Sequence, residues 1–125
     1  MKLTLAVLEG YYSVHRFAPD AIIPDTIQES RFYSVTRTDE ELSIVCEATA
    51  DVNALQSETD WRIIKIVDPL NFSLTGILSA IAELLAGAKI SIFALSTFDT
   101  DYILLRSVNL DKAQEVLQAA GHRFL

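Results

Sequence analysis

The chain has 125 residues, of which 50% are hydrophobic and 22% charged, and its formal net charge at pH 7 is −7. This length suits one compact domain or two very small units packed together, and the apolar content suffices for a core. Because phosphate backbones are bound chiefly by clustered Lys and Arg, an acidic chain without such a cluster is not expected to bind nucleic acid.

The N-terminus and the longest apolar run predict neither secretion nor a membrane span. The apolar start is broken by Glu9 and Gly10 and is too short for the core of a signal peptide. The run over residues 77–88 is interrupted by Glu83 and falls short of the roughly 20 residues that a membrane span needs. We therefore expect a cytoplasmic protein without membrane contact. The single cysteine, Cys46, excludes an internal disulfide and is interpreted as a buried core residue rather than a zinc ligand.

The first half of the chain predicts short strands and little helix. Pro19 and Pro24 exclude a long helix and leave room for one or two turns over residues 25–29. The polar link at residues 38–41 joins two strand-like runs into a hairpin. Residues 49–60 are polar and small, and we place a boundary between two units there. The strands predicted in this half cover residues 2–8, 11–17, 31–37 and 42–48.

The second half predicts the order βαββα followed by a short strand. One helix is indicated by apolar residues at the spacing i, i+3, i+4, i+7, namely Leu74, Ile77, Leu78, Ile81, Leu84 and Leu85. Gly87 stands where a left-handed C-terminal cap is expected. A second helix begins with a cap at Ser107 or Asn109 and ends at Gly121. The strands predicted in this half cover residues 61–67, 90–98, 102–108 and 122–125.

The two halves look like one motif used twice. The predicted fold class is α+β, a ferredoxin-like βαββαβ arrangement with antiparallel sheets and helices on one face. Residues 1–60 would form a degenerate N-terminal unit and residues 61–125 a complete one. A bare sheet face carrying apolar residues would be an exposed patch, so we expect the other unit or a second chain to cover it. The residues of this face are Ile63, Val67, Phe93 and Leu95.

Two stretches of the second half carry a family resemblance. Residues 76–86 read as a helix introduced by a glycine, and a small residue and an alternating strand follow over residues 88–92. Residues 91–105 contain the pattern Leu-Ser-Thr-aromatic-x-Thr-Asp-aromatic-Ile-Leu. The first stretch resembles the ACT domain, a regulatory amino-acid-binding module, and the second is similar to the paired ACT repeats of the CASTOR-type amino-acid sensors and their bacterial relatives. Residues 31–36 and 42–47 resemble the partner repeat.

The resemblance implies an ACT-type fold with two tandem units. The sensors carry two pairs of repeats in one polypeptide, whereas this chain has one pair. The resemblance therefore implies a homodimer if the ligand lies between pairs.

The loop between the first strand of the second half and its helix is the predicted half of an amino-acid site. Unpaired N–H groups at a helix N-terminus favour a carboxylate, and we expect these groups from Leu74, Thr75 and Gly76. Gly76 has no Cβ and lets a ligand approach the backbone; the alternative is that it only permits the helix to pack on the sheet. By the resemblance, Ser91 and Ile92 contact the ligand, largely through backbone groups.

Two further loop residues each allow two interpretations. Asp68 either accepts a hydrogen bond from the ligand's ammonium group or, with Pro69, only ends the strand. Phe72 either covers the stem of the ligand or packs as a hydrophobic staple at the helix start.

Nothing in the sequence indicates an enzyme or demands a cofactor. His15 and His122 have no neighbouring nucleophile motif, the four glycines are isolated, and the acidic residues 39–41 are interpreted as a solvated turn rather than a metal site. We predict a non-catalytic regulatory protein whose amino-acid ligand lies at the interface between ACT repeats and allosterically shifts its assembly or its affinity for a protein partner. The alternative is an ACT-fold structural or adaptor protein that has lost its ligand. The second wall of the site would come from residues 1–60 or from another chain.

Overall fold

A computed structural model of the chain describes residues 2–67 and 76–125. Within these ranges the chain forms eight β-strands and two α-helices. The strands are β1 (Thr4–Val7), β2 (Tyr12–Phe17), β3 (Ser34–Arg37), β4 (Leu42–Glu47), β5 (Gln56–Ile66), β6 (Ile92–Ser96), β7 (Asp101–Arg106) and β8 (Arg123–Phe124). The helices are α1 (Ile77–Gly87) and α2 (Leu110–Ala119), and 3₁₀ helices occur at Asp25–Glu29 and Ser107–Asn109. The predicted α+β, ferredoxin-like fold class is confirmed.

Contacts divide the chain into two compact units, an N-terminal unit of Gly10–Trp61 and a C-terminal unit made of the first nine residues together with Arg62–Leu125. The sequence-based boundary after residue 60 assigned those first nine residues to the N-terminal unit. Strand β5 contributes its first half to the N-terminal unit and its second half to the C-terminal unit.

The C-terminal unit has the strand order β8-β1-β5-β7-β6. Strand β1 pairs antiparallel with β5 and parallel with the two-residue β8. Both helices pack on one face of these strands, because their buried side chains join one core cluster with alternate residues of β1, β5 and β7. The fully or almost fully buried members of this cluster are Leu3, Leu5, Ile64, Ile66, Ile77, Ile81, Leu85, Ile90, Ile103, Leu105, Ala113 and Leu117.

The N-terminal unit has the order β3-β4-β2-β5, in which every pair of neighbours is antiparallel. Alternate side chains of β4 point to one face, and Ile27 of the first 3₁₀ helix is fully buried in the same cluster. The one or two helical turns predicted over residues 25–29 are therefore confirmed. Their contribution to the core is the buried side chain of Ile27. The cluster consists of Phe17, Ile27, Leu42, Ile44 and Cys46.

The prediction that Gly87 adopts a left-handed cap is wrong. Gly87 is the last helical residue of α1, and the left-handed residue is Lys89, with φ +62°. The Lys89 N–H donates to the Ala86 carbonyl and the Ile90 N–H to the Leu85 carbonyl, which is the Schellman pattern of hydrogen bonds. The helix thus ends in a turn at Lys89 that lets Ile90 enter the core. A lysine adopts the backbone conformation that usually belongs to glycine.

Strand β5 begins earlier than its apolar pattern predicts. The polar residues 56–60, assigned to a boundary region, are the first five residues of this strand. They extend because β2 supplies hydrogen-bonding partners, with Val14 opposite Glu58 and His15 opposite Ser57. Pairing with a neighbouring strand therefore outweighs the weak strand propensity of this segment.

Candidate ligand-binding site

The start of α1 offers backbone donors without a capping side chain. Gly76 is the N-cap residue, and among the described residues no side chain caps this helix. Its carbonyl accepts the first helical hydrogen bond, from the Ala80 N–H at 2.9 Å. The N–H groups of Ile77, Leu78 and Ser79 therefore have no partner within the helix, and the first turn contains no acidic residue. This helix end carries a partial positive charge that attracts an anion such as a carboxylate.

The space beside Gly76 is open. Its φ of +79° is left-handed, a conformation that L side chains rarely adopt. A Cβ added there would meet no atom of residues 2–67 and 76–125 within 4 Å. The glycine is therefore required by its backbone conformation and not by crowding against the sheet, and it leaves the backbone accessible to a ligand.

The sequence predicted donors at Leu74, Thr75 and Gly76, with Leu74 inside the apolar spacing of the helix. In the structure α1 begins at Ile77. The donors available at this end belong to residues 77–79, which were missed because the apolar spacing continues upstream of the true helix start. Of the predicted site residues, Asp68, Phe72, Leu74 and Thr75 lie outside the described residues.

Ser91 and Ile92 lie at the other end of α1. Ser91 is exposed and leads into β6, and Ile92 is half-buried and opposite Leu105 of β7. The eleven residues of α1 separate Gly76 from this point by about 16 Å at 1.5 Å per residue. This distance exceeds the reach of a free amino acid, so the structure does not bring Gly76 and Ser91 together within one unit.

The turn between β6 and β7 explains the most specific part of the sequence pattern. The Thr97 N–H donates to the Thr100 carbonyl at 2.8 Å, and the Thr100 N–H donates to the Thr97 hydroxyl at 3.3 Å. The buried Thr100 hydroxyl donates to the Ile66 carbonyl at 2.6 Å, and the Ser96 hydroxyl donates to the Asp101 carboxylate. These side chains build the turn and attach it to the end of β5, so their role is structural.

The Thr100–Ile66 hydrogen bond also shows which ends of β5 and β6 lie together. The end of β5 lies beside the β6–β7 turn, whereas Ser91 precedes the opposite end of β6. The five residues of β6 span about 16 Å. The chain therefore leaves β5 at the end of the unit that is far from Ser91.

A concavity of about 130 Å³ lies in the N-terminal unit and was not anticipated from the sequence. His15 and Ser57 both line it, and the His15 Nδ1 lies 2.7 Å from the Ser57 hydroxyl. Burial lowers the pKa of His15, which favours the neutral ring. The contact joins β2 to β5 across the sheet.

Reactive and metal-binding groups are scarce in the described ranges. Cys46 is fully buried, and burial, followed by the charge of Glu47, raises the pKa of its thiol to about 11, so it is an unreactive core residue as predicted. Within residues 2–67 and 76–125, no group of three His, Cys, Asp or Glu side chains could hold a metal ion. In the same ranges no helix is long and apolar enough to cross a membrane.

Comparison with protein families identifies the second half of the chain. The ACT domain profile matches residues 56–119, just over half of the chain, beginning at the first residue of β5. The chain belongs to the ACT domain family. A second profile, of an N-terminal domain family, matches residues 10–50. ACT domains are regulatory modules, and this chain is a regulatory ACT protein.

Solved structures are similar to this ACT protein over nearly its whole length. A crystal structure of a protein from Agrobacterium tumefaciens is 36% identical, with a TM-score of 0.92, and the match covers 100% of this chain and 93% of that one. A Vibrio cholerae protein of unknown function is 19% identical, with a TM-score of 0.72 and coverage of 94% and 89%. The aspartokinase alpha and beta subunits are 14% identical, with a TM-score of 0.65 and coverage of 96% and 98%, and at this identity the likeness shows the fold alone. No curated protein matches the chain.

Proposed function

We propose that this ACT protein is a homodimeric, non-catalytic sensor that binds a free amino acid between two copies of its C-terminal unit. One wall of the site is the start of α1 in one copy, and the other wall is Ser91 and Ile92 of the second copy. Gly76 lets the ligand reach the backbone. The loop residues Asp68, Phe72, Leu74 and Thr75 belong to the first wall in this proposal.

The observation that carries the proposal is the separation of about 16 Å between Gly76 and Ser91 along α1. If both positions contact one ligand, they must come from different copies. A two-fold axis brings the Gly76 end of each unit to the Ser91 end of the other, because a two-fold interface pairs each patch with its counterpart. Two such sites per dimer follow from the symmetry.

The chemistry of the first wall suits the carboxylate of an amino acid. The N–H groups of residues 77–79 and the positive helix end stabilise an anion by about 0.3–1 kcal/mol near the surface and up to ~2 kcal/mol when partly buried. The ammonium group needs acceptors, which backbone carbonyls near Ser91 of the second copy would supply. Hydrogen bonds of this kind discriminate amino acids from simple carboxylic acids.

Regulation follows from the position of the ligand. A ligand that bridges two copies stabilises the dimer, and by linkage the dimer binds the ligand more tightly. An allosteric effect on a protein partner then requires only that the partner distinguishes the liganded dimer from the free protein.

Thermal unfolding in the presence of each of the twenty amino acids tests the proposal. A ligand at a hundred times its dissociation constant stabilises the protein by ~2.7 kcal/mol, which shifts the midpoint by several degrees for a domain of this size. One amino acid, or a few of similar chemistry, should shift the midpoint and also raise the dimer fraction in sedimentation. A flat panel would leave the adaptor role as the function of this ACT protein.

Two variants test whether the site is shared between copies. Gly76→Val should abolish the shift because its side chain fills the space at the first wall. Ser91→Pro should abolish it because the proline ring changes the backbone at the second wall and so displaces the carbonyls that would accept from the ammonium group. Far-UV circular dichroism should show that both variants remain folded, and Gly87→Ala, which replaces a glycine that neither wall uses, should retain the shift.

Mixing the two inactive variants gives the decisive result. Half of the randomly formed dimers contain one copy of each variant, and one of the two sites in such a dimer is intact. The mixture should therefore recover about a quarter of the wild-type binding capacity. No recovery in a mixture that exchanges subunits would mean that the two walls do not belong to one shared site.

A further inference from the structure

His122 makes a buried contact that the proposed amino-acid site does not use. Its Nδ1 accepts a hydrogen bond from the backbone N–H of Leu3 at 3.1 Å, across 119 positions of sequence. The residue is only 6% exposed. It occupies the second position after the C-cap of α2, where its own N–H donates to the Leu117 carbonyl in the hydrogen-bond pattern that ends this helix. The ring is thus held between the end of α2 and the strand β1.

This contact requires a neutral ring. A nitrogen that accepts a hydrogen bond carries no proton, so the neutral His122 ring must hold its proton on Nε2. The protonated ring carries a hydrogen on both nitrogens and accepts nothing. Protonation would therefore place the Nδ1–H against the N–H of Leu3, and the hydrogen bond would be replaced by a contact between two donors.

The Leu3–His122 contact helps to attach the C-terminal segment to β1. Two backbone hydrogen bonds, from the Arg123 N–H to the Leu3 carbonyl and from the Leu125 N–H to the Leu5 carbonyl, also belong to this attachment, both at 2.9 Å. Strand β8 has only two residues, so it contributes little of its own. Losing the Leu3–His122 hydrogen bond therefore weakens the docking of the segment.

The surroundings of the ring favour the neutral form. Burial, followed by the positive charge of the chain's N-terminus, lowers the pKa of His122 from its ordinary value of 6.5. His122 and Glu83 of α1 both line a groove of about 530 Å³. The Lys2 side chain lies beside Gly121, and the Arg123 guanidinium donates to the Thr4 hydroxyl. Glu83, Lys2 and Arg123 are exposed, so water screens their effect on the ring.

We propose that His122 makes the attachment of the C-terminal segment, residues 122–125, to β1 sensitive to acid. The segment stays docked while the ring is neutral and is released when the ring takes up a proton. The sign follows from linkage, because the released ring has the higher pKa and binds the proton more tightly. Opening becomes more favourable as the pH falls below about 6.5, and the effect ends once the docked ring is itself protonated.

Amide hydrogen exchange in the full-length protein measures this opening. Between pH 7.5 and pH 5, protection of the Leu3, Arg123 and Leu125 amides should fall, after correction for the intrinsic pH dependence of exchange. Opening at these amides should increase about tenfold for each pH unit between 6.5 and the pKa of the docked ring. The amides in the centre of β5 should show no such change.

Two substitutions assign the effect to one ring. His122→Asn places an amide oxygen where Nδ1 lies and cannot titrate, so protection should no longer depend on pH. The chain has two histidines, and His15→Asn provides the matched control, because His15 lies in the N-terminal unit. This control should retain the full pH dependence, and a loss of the dependence in His15→Asn instead of His122→Asn would overturn the proposal.

Histidine ¹⁵N chemical shifts in the wild-type protein give a test that needs no variant. At pH 7.5 the His122 signals should be those of a neutral ring protonated on Nε2, and the protection of the Leu3 amide should fall together with the appearance of the protonated ring. A neutral ring protonated on Nδ1, or protection that does not change while His122 titrates, would refute the proposal.

Discussion

The two glycines at the ends of α1 provide a test of the backbone conformation at the proposed site. Gly76 precedes the helix with φ +79°, whereas Gly87 is its last residue and has no positive φ. At either position a Cβ would meet no atom within 4 Å in the part of the chain that the structure describes. Replacing each glycine by alanine therefore changes the backbone preference of the residue without a clash, and the two variants differ in the sign of the expected effect.

The magnitudes follow from the two conformations. A left-handed conformation costs a residue with a Cβ roughly 1–2 kcal/mol, and the smaller entropy of the unfolded chain returns about 0.4–1 kcal/mol. Gly76→Ala should therefore lower the free energy of unfolding by about 1 kcal/mol. At Gly87 the alanine fits a helical backbone, and Gly87→Ala should raise the free energy of unfolding by about 0.5–1 kcal/mol.

Urea unfolding of both variants beside the wild type measures the difference directly. The midpoints should move in opposite directions with an unchanged slope, because neither variant alters the surface exposed on unfolding. Equal stabilisation by both substitutions would mean that Gly76 is not left-handed. Gly76 would then give a ligand no special access to the backbone at the first wall of the site.

Two further substitutions test the ends of α1 and of β5 by urea unfolding. Lys89→Gly should stabilise the protein by up to about 1 kcal/mol, because glycine adopts the left-handed conformation after α1 without strain. The control Lys112→Gly, inside α2, should cost about that amount. Destabilisation by Lys89→Gly would contradict the assigned φ. Thr100→Val should lower the free energy of unfolding by about 1–3 kcal/mol, because the buried Ile66 carbonyl loses its donor. The control Thr36→Val, on exposed β3, should change it by less than about 0.5 kcal/mol. Equal effects would show that the Thr100 hydroxyl does not anchor the turn.

The elements of this ACT protein could be predicted from local patterns where those patterns are strong. The apolar spacing of α1 identified the helix because side chains three and four positions apart share one face, and Ile77, Ile81 and Leu85 are indeed its buried residues. The stop imposed by Pro19 and Pro24 likewise limited the N-terminal unit to a single short 3₁₀ helix. Each of these features depends only on residues that are neighbours in sequence.

The ends of the elements could not be predicted in the same way. Gly87 and Lys89 are two residues apart, and local preference favours glycine for the left-handed position. Lys89 takes it because Ile90 must enter the core one residue later. The polar start of β5 became a strand only because β2 lies beside it.

The sequence by itself therefore determined the elements, the fold class and the family of this protein, because hydrophobic periodicity, turn residues and a specific hairpin motif act over short distances. Only the tertiary structure decided which segments meet. It placed the first strand beside β5 and β8, joined Leu3 to His122, and separated Gly76 from Ser91 by the length of α1. These outcomes depend on the simultaneous packing of segments that are far apart in sequence, and no local pattern contains that information.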